Sequence, residues 1–184
     1  MLGYLLIQIV FIVLIILVTA YFFNILFRGY APIISTRPKV LERIFEELKG
    51  DFKISKDFSG QVYELGAGKA GFLAMFENKY PQAKLTGIEY HFFPYLVTKI
   101  QLSLFKKSKI KMRRKNMFRV NLKDADVIYC YLNISTMKKL EKKFEEECRE
   151  GTIIVSHGFP LPKKGSDQTV SLGDKQANIY FYKM

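Results

Sequence analysis

Leu2 to Phe27 is a run of 26 residues without one charged side chain, broken only by Gln8, Thr19 and Asn24. Coiled as a helix at about 1.5 Å per residue, it is roughly 39 Å long. A bilayer's hydrocarbon core is about 30 Å thick, so the run can cross it with some tilt. A cleaved signal peptide fits less well, because such a peptide wants a basic leader, a shorter apolar core and a small-residue cleavage site. No Lys or Arg precedes the run here. A core helix of a globular domain is the remaining alternative. The first cations are Arg28, Arg37, Lys39 and Arg43. Positive flanks mark the cytoplasmic side. The expectation is a single-pass anchor in the inner (cytoplasmic) membrane, with the N-terminus outside and the rest of the chain in the cytoplasm.

Beyond the run lie roughly 155 residues, enough to bury a real core. All 29 Lys and Arg fall there, so the net charge of +12 belongs to that part. Nucleic acid, an acidic protein or an anionic leaflet would each answer such a charge. The anchor makes the leaflet the simplest partner, with about 1 kcal/mol for each basic residue held near it. The densest basic stretch runs from Lys106 to Lys115. A solvated helix end followed by a strand edge reads the same stretch equally well. Cys130 and Cys148 form no CxxC and have no His partner at ligand spacing. Neither a disulfide framework nor a metal site is expected, and reduced thiols suit a cytosolic domain.

Residues 28–37 read as a short juxtamembrane linker. Pro38 suits a first helical turn, with Thr36 or Arg37 near the cap. Val40, Leu41, Ile44, Phe45 and Leu48 then recur at helical spacing. After a polar loop the pattern alternates: strands at Gln61–Leu65, Lys84–Glu89, Lys109–Arg114, Asp126–Leu132 and Thr152–Ser156, with helices at Ala70–Lys79, Pro94–Phe105 and Asn133–Arg149. Two further β-rich pieces, Gln168–Leu172 and Ala177–Tyr182, flank a turn at Gly173-Asp174-Lys175. Strand–helix alternation predicts a parallel sheet covered on both faces, and the terminal hairpin adds an antiparallel edge.

The sharpest motif is Glu64-Leu65-Gly66-Ala67-Gly68-Lys69-Ala70-Gly71, between a strand and a helix. That context suits a nucleotide-binding loop, in which glycines let the backbone touch a cofactor. Gly66-x-Gly68-x-x-Gly71 also fits a dinucleotide fingerprint, with Glu89 lying 23 residues beyond Gly66. A glycine turn holding no ligand is the third reading. Glu64 favours S-adenosylmethionine: a carboxylate under the loop opposes a pyrophosphate but attracts a ligand carrying sulfonium and ammonium charges. Glu89, ending the second strand before Tyr90, can accept two ribose hydroxyls. Asn116 and Met117, after the third strand, lie where an adenine edge would be, the amide facing the exocyclic amine.

Together these residues resemble the seven-strand class I methyltransferases. More narrowly, the chain resembles the family of the mitochondrial ATP-synthase c-subunit lysine methyltransferase and its prokaryotic membrane-anchored relatives. The likeness extends over the apolar anchor, APIISTRPKV, the ELGAG loop, GIEYHFFPYLV, DVIYCYLN and SHGFPLP. It implies a Rossmann-like α/β class I methyltransferase sheet with an antiparallel C-terminal hairpin, preceded by one transmembrane helix. It divides the chain into a transmembrane anchor (1–28), a juxtamembrane segment with the N-terminal helix (29–50) and the methyltransferase domain (51–184). The cofactor set it implies is Glu64, Gly66, Ala67, Gly68, Glu89, Tyr90, Asn116 and Met117, binding S-adenosyl-L-methionine. The acceptor channel it implies is walled by Tyr30, Pro32, Ser35 and Thr36 and by Tyr131, Leu132 and Asn133; Thr36, Tyr131 and Asn133 are the candidate catalytic residues. The family's loop usually reads GSGDGR, with an acid and a glycine where this chain has Lys69 and Ala70, and the family's acid at the adenine position is Asn116 here.

The chemistry expected is methyl transfer, to lysine in a membrane or membrane-near protein. Methylation of a lipid or small molecule, and a non-catalytic membrane protein keeping the fold, are the alternatives. Nucleic acid is disfavoured as substrate by the anchor and by the lack of an Asn-Pro-Pro-Tyr-like motif. Tyr131 is equally a core aromatic, and His91 and His157 read as loop or packing residues rather than general bases.

Overall fold

The computed structural model describes residues 2–27, 35–104, 108–173 and 177–184. The chain divides into two compact units, residues 1–32 and 33–184. The first holds one long helix, α1 (Leu2–Phe27). It is the one helix among the described residues long and apolar enough to cross a membrane, and a signal sequence shares those properties.

The second unit alternates helices and strands: α2 (Pro38–Lys49), β1 (Gln61–Leu65), α3 (Gly71–Lys79), β2 (Lys84–Glu89), α4 (Phe92–Leu104), β3 (Lys111–Arg114), β4 (Val127–Cys130), α5 (Ile134–Glu147), β5 (Ile153–His157), β6 (Gln168–Val170) and β7 (Ile179–Lys183). Pro38 opens α2 after an extended Arg37, whose carbonyl takes the N–H groups of Val40 and Leu41. Two departures from the expected pattern have local reasons. Helix α4 begins at Phe92 and not Pro94, because a proline in the first turn removes an N–H that has no helical partner there. A 3-10 turn over Met117–Arg119, absent from the periodic pattern, forms where the Asn116 side chain accepts the N–H of Phe118.

The seven strands form one sheet in the order β3-β2-β1-β4-β5-β7-β6. The first five are parallel, and β7 runs antiparallel to both β5 and β6. The terminal hairpin is therefore present, although Asp174 and Lys175 of its expected turn lie outside the described residues. Edge strand β3 carries exposed Lys111, Arg113 and Arg114, which discourage pairing with another sheet.

Strand alternation sorts the core onto two faces. Val62, Leu85, Val127, Tyr129, Val155 and Phe181 meet α2 and α3 on one. Tyr63, Leu65, Ile128, Cys130, Ile154 and Tyr182 meet Met137, Leu140 and Phe144 of α5 on the other. Helix α2 is bound in by rings: Phe45 stacks on Phe72 at 5.3 Å and meets Phe76 edge-on at 5.4 Å, and both α3 rings are fully buried. Replacing Phe45 with Ala removes this contact and leaves a cavity, so the expected loss is about 3–5 kcal/mol. Denaturant titration of the full chain in detergent measures it. A loss under about 1 kcal/mol, the size of a surface change, would show that α2 is not part of the core.

Candidate cofactor and acceptor site

Strand β1 ends in a loop that folds back over the end of β2. The N–H groups of Gly66 and Ala67 both donate to the Ile88 carbonyl at 2.9 Å. Gly66 and Gly68 hold φ of +73° and +48°, where a side chain is strained. A Cβ at Gly66 would come within 2.8 Å of Leu132, and Met117 reaches the same spot. The Thr98 hydroxyl of α4 donates to the Gly68 carbonyl, fixing the loop from outside the sheet. Above Gly71 a Cβ would meet nothing within 4 Å. A dinucleotide fingerprint needs its third glycine for close helix–strand packing, so the GxGxxG spacing here is not that fingerprint.

Two carboxylates support this loop, and both are buried. Glu89 accepts the N–H of Gly68 at 3.0 Å with one oxygen and the N–H of His91 at 2.8 Å with the other. Each oxygen keeps a lone pair, so the group fits a pair of ribose hydroxyls while holding the loop. Glu64 lies beneath and accepts the N–H of Leu73 at 3.1 Å, capping the first turn of α3. Burial raises its carboxyl from the ordinary 4.5 to about 8, against the lowering effect of the Leu73 and Phe72 N–H bonds; the Glu89 charge adds to the rise. A proton is thus held more tightly in the folded state. The stability this gives is complete below about pH 4.5 and is lost as pH rises through about 8. The Glu89 charge, and that of Glu64 once ionised, opposes a pyrophosphate and suits a cationic ligand tail.

Asn116 and Met117 stand half-buried after β3. The Asn116 amide oxygen takes the Phe118 N–H at 3.0 Å, so one of its lone pairs serves the turn. Tyr90 is exposed beside the crevice, its ring edge-on to His91.

The acceptor candidates follow β4. Thr36 comes to the sheet through its hydroxyl, 2.5 Å from the hydroxyl of Tyr129. Tyr129 was not singled out by pattern, because VIYCYL reads as a buried strand with two interchangeable tyrosines. It stacks on Phe72 at 4.4 Å, is fully buried, and has its phenol held well above its ordinary value by burial, with Glu64 and Tyr131 adding repulsion. Tyr131, two residues on and half-buried, lies against the His157 ring at 4.0 Å. His157 is buried, its Nδ1 has no partner, and burial depresses it to about 4, so the imidazole is neutral. Asn133 caps α5, its amide oxygen taking the Thr136 N–H at 2.9 Å and the Ser135 hydroxyl at 2.9 Å. With both lone pairs used, that oxygen is not the one to orient an amine. Ser35 is exposed, and Tyr30 and Pro32 lie outside the described residues.

The structure thus brings Glu64, Gly66, Ala67, Gly68, Glu89 and Met117 to the carboxyl ends of β1 and β2, with Thr36 and Tyr131 on the β4 side. A model of the ANTKMT methyltransferase domain matches residues 64–168, more than half of the chain and every residue of this crevice except Thr36. The chain belongs to the ANTKMT methyltransferase family. It is a methyltransferase whose cofactor is S-adenosylmethionine. A protein-lysine N-methyltransferase of Saccharolobus islandicus (strain REY15A) is 25% identical over 158 residues, covering 83% of this chain and 93% of that protein. Among solved structures, an RNA methyltransferase from Salinibacter ruber in complex with S-adenosyl-L-homocysteine superposes with a TM-score of 0.72 at 22% identity, covering 82% of this chain and 93% of that one. The precorrin-6y C5,15-methyltransferase from Geobacter metallireducens gives 0.62 at 12% identity, covering 83% and 90%. These two likenesses show the shared class I fold.

One feature of this family member's loop is costly. Ala70, fully buried, caps α3 in the left-handed region at φ 54° and ψ 37°, where a Cβ costs roughly 1–2 kcal/mol. Ala70→Gly relieves that strain and gives back part of it as unfolded-chain entropy, leaving a net gain of about 0.5–1 kcal/mol. A rise of a few degrees in Tm, followed by circular dichroism, is the expected outcome. A fall would show that the Ala70 methyl contributes more packing than strain.

Proposed function

We propose that this methyltransferase modifies lysine in a membrane or membrane-near protein, held at the inner membrane by α1 with its catalytic domain in the cytoplasm. The observation that carries the lysine reading is the relative from Saccharolobus islandicus, a protein-lysine N-methyltransferase aligned over nearly its whole length. The anchor reading rests on the uncharged α1 and on the cations that follow it. In this reading the chain's segments are the anchor (1–28), the juxtamembrane segment and α2 (29–50) and the methyltransferase domain (51–184).

S-adenosylmethionine supplies an electrophilic methyl group on a sulfonium. In the proposed site the residues bind, orient and exclude water. Backbone at Gly66, Ala67 and Gly68 lines the amino-acid portion, with Glu64 beneath it. Glu89 takes the ribose hydroxyls, and Tyr90, Asn116 and Met117 flank the adenine. Thr36 fastens the pre-domain segment to Tyr129 and so walls the acceptor side; it acts as a positioning residue. Tyr131 stands at the mouth, where its hydroxyl can accept from an incoming amine. Asn133 sets the start of α5, and its contribution is to the shape of the strand end. A lysine ammonium must lose its proton before it can attack, from an ordinary pKa of about 10.4. Beside the Tyr131 ring the amine is desolvated, which lowers that value.

Incubating the full-length protein in native membranes with methyl-labelled cofactor tests this reading. Label is expected in protein, on lysine, and absent from lipid. Glu89→Ala should remove two charge-assisted bonds, weaken cofactor binding by roughly 100-fold or more and abolish labelling, with the fold retained by circular dichroism. Label in lipid would overturn the lysine reading, and unchanged cofactor affinity would overturn the ribose role.

Glu64 makes a second expectation. With its carboxyl raised to about 8, the group is mostly protonated at pH 7. A cationic ligand placed beside it lowers that value, so binding should release close to one proton, and affinity should rise with pH up to about 8. Calorimetry in buffers of different ionisation enthalpy counts the proton. In Glu64→Gln the release and the pH dependence should both vanish; their persistence would place the titrating group elsewhere.

A further inference from the structure

On α4, Phe93, Val97, Ile100 and Leu104 are 51%, 55%, 52% and 76% exposed. Their spacing of four, three and four residues puts them within an arc of about 60° on the helix. The opposite face is the packed one: Pro94 and Thr98 are buried, Leu102 joins the core, and Thr98 donates to Gly68. Phe92, 47% exposed, flanks the stripe. Soluble surfaces scatter single apolar residues but seldom line four along one helix.

The neighbours of this stripe are cationic. Lys99 lies over the Tyr95 ring on α4 itself. On the adjoining edge strand Lys111, Arg113 and Arg114 are exposed, and Arg114 lies 5.2 Å over the Phe92 ring, joining the charged strand to the apolar stripe. None of these cations, nor Lys115, is in an ion pair among the described residues. An apolar helix face bordered by unpaired cations is the composition of a helix lying in the interface of an anionic bilayer. The tether agrees. Seven residues lie between Phe27 and Ser35, eight Cα steps with a reach of at most about 28 Å, so an α1 that spans a bilayer would keep this domain near the lipid.

We propose that the outer face of α4, with the cations of β3, is a second membrane contact that seats the methyltransferase domain on the anionic leaflet. This rests on the reading of α1 as a span and deepens it. Because the inner face of the same helix holds Gly68, the lipid surface sits about one helix diameter, roughly 10 Å, from the cofactor loop. The acceptor lysines such an arrangement reaches are those near the headgroups of a membrane protein.

The chain contains no Trp, so single-tryptophan reporters are clean. Full-length Val97→Trp, Ile134→Trp and Val13→Trp variants are placed in phosphatidylcholine vesicles with and without phosphatidylglycerol, and quenched with brominated acyl chains. Ile134 is an exposed site on α5 and serves as the solvent control. The reporter at position 97 should emit to the blue and lose roughly half or more of its intensity in anionic vesicles, with a smaller loss in neutral ones. The reporter at 134 should be unaffected. Adding Lys111→Glu and Arg113→Glu should reduce quenching at 97 and leave it unchanged at 13. Red, unquenched emission at 97 with quenching intact at 13 overturns this contact and spares the anchor. A blue shift at 97 that follows protein concentration rather than bromolipid assigns the stripe to a second copy of the chain, which also overturns it. Absence of quenching at 13 removes the span on which the proposal rests.

Discussion

The Glu89 carboxylate is the interaction on which the site depends. It stands at the end of a parallel strand, where the backbone runs out of ladder partners and the next N–H groups need acceptors. Its two oxygens take the N–H of Gly68 from one loop and of His91 from the next. The glycine loop and the start of α4 are therefore fixed to a single side chain before any ligand arrives. Thr98 closes the arrangement from the α4 side by donating to the carbonyl of the residue whose N–H Glu89 receives. Preorganisation of this kind reduces the ordering that binding would otherwise have to supply.

Beneath that loop the electrostatics divide the labour between two acids. Glu89 keeps a route to the crevice. Glu64 is sealed under α3 with its proton held up to about 8 by burial. One buried acid kept neutral costs far less than two neighbouring carboxylates both charged. In the proposed site this arrangement gives the crevice a charge it develops on demand, since a positive ligand placed beside Glu64 draws its carboxyl into the ionised form.

Much of this was legible in the residues. QVYEL, KLTGIE and DVIYCYL are apolar enough to be sheet interior, and the glycines between the first strand and helix marked the cofactor end. What stayed hidden was decided by tertiary contact. Besides the ligand roles proposed for them, the Asn116 and Asn133 amides satisfy backbone at the 3-10 turn and at α5, because a short polar side chain before a helix finds an N–H at hand. Tyr129 and Tyr131 are two residues apart in the DVIYCYL run, and no pattern says which is sealed. The stacking of Phe72 and the hydroxyl of Thr36, 93 positions away, select Tyr129 for the interior. Ala70 is a residue whose left-handed backbone contradicts its identity, and only its place between the glycine loop and α3 explains why it is held there.

Fold and location bear on the acceptor in different ways. The class I sheet accommodates many methyl acceptors, and nothing in its topology separates a lysine from a nucleobase or a tetrapyrrole. Selection must come from what surrounds the end of β4 and from what can reach it. In the proposed site the Tyr131 ring offers an apolar wall that favours a neutral amine over an ammonium. If α1 spans a bilayer as proposed, the seven residues between Phe27 and Ser35 limit the search to groups near it, raising their effective concentration without a new contact. A crevice with weak intrinsic preference for its acceptor can be specific in a cell if only a few lysines lie within that reach, so on the proposed reading specificity is carried as much by the anchor as by the pocket.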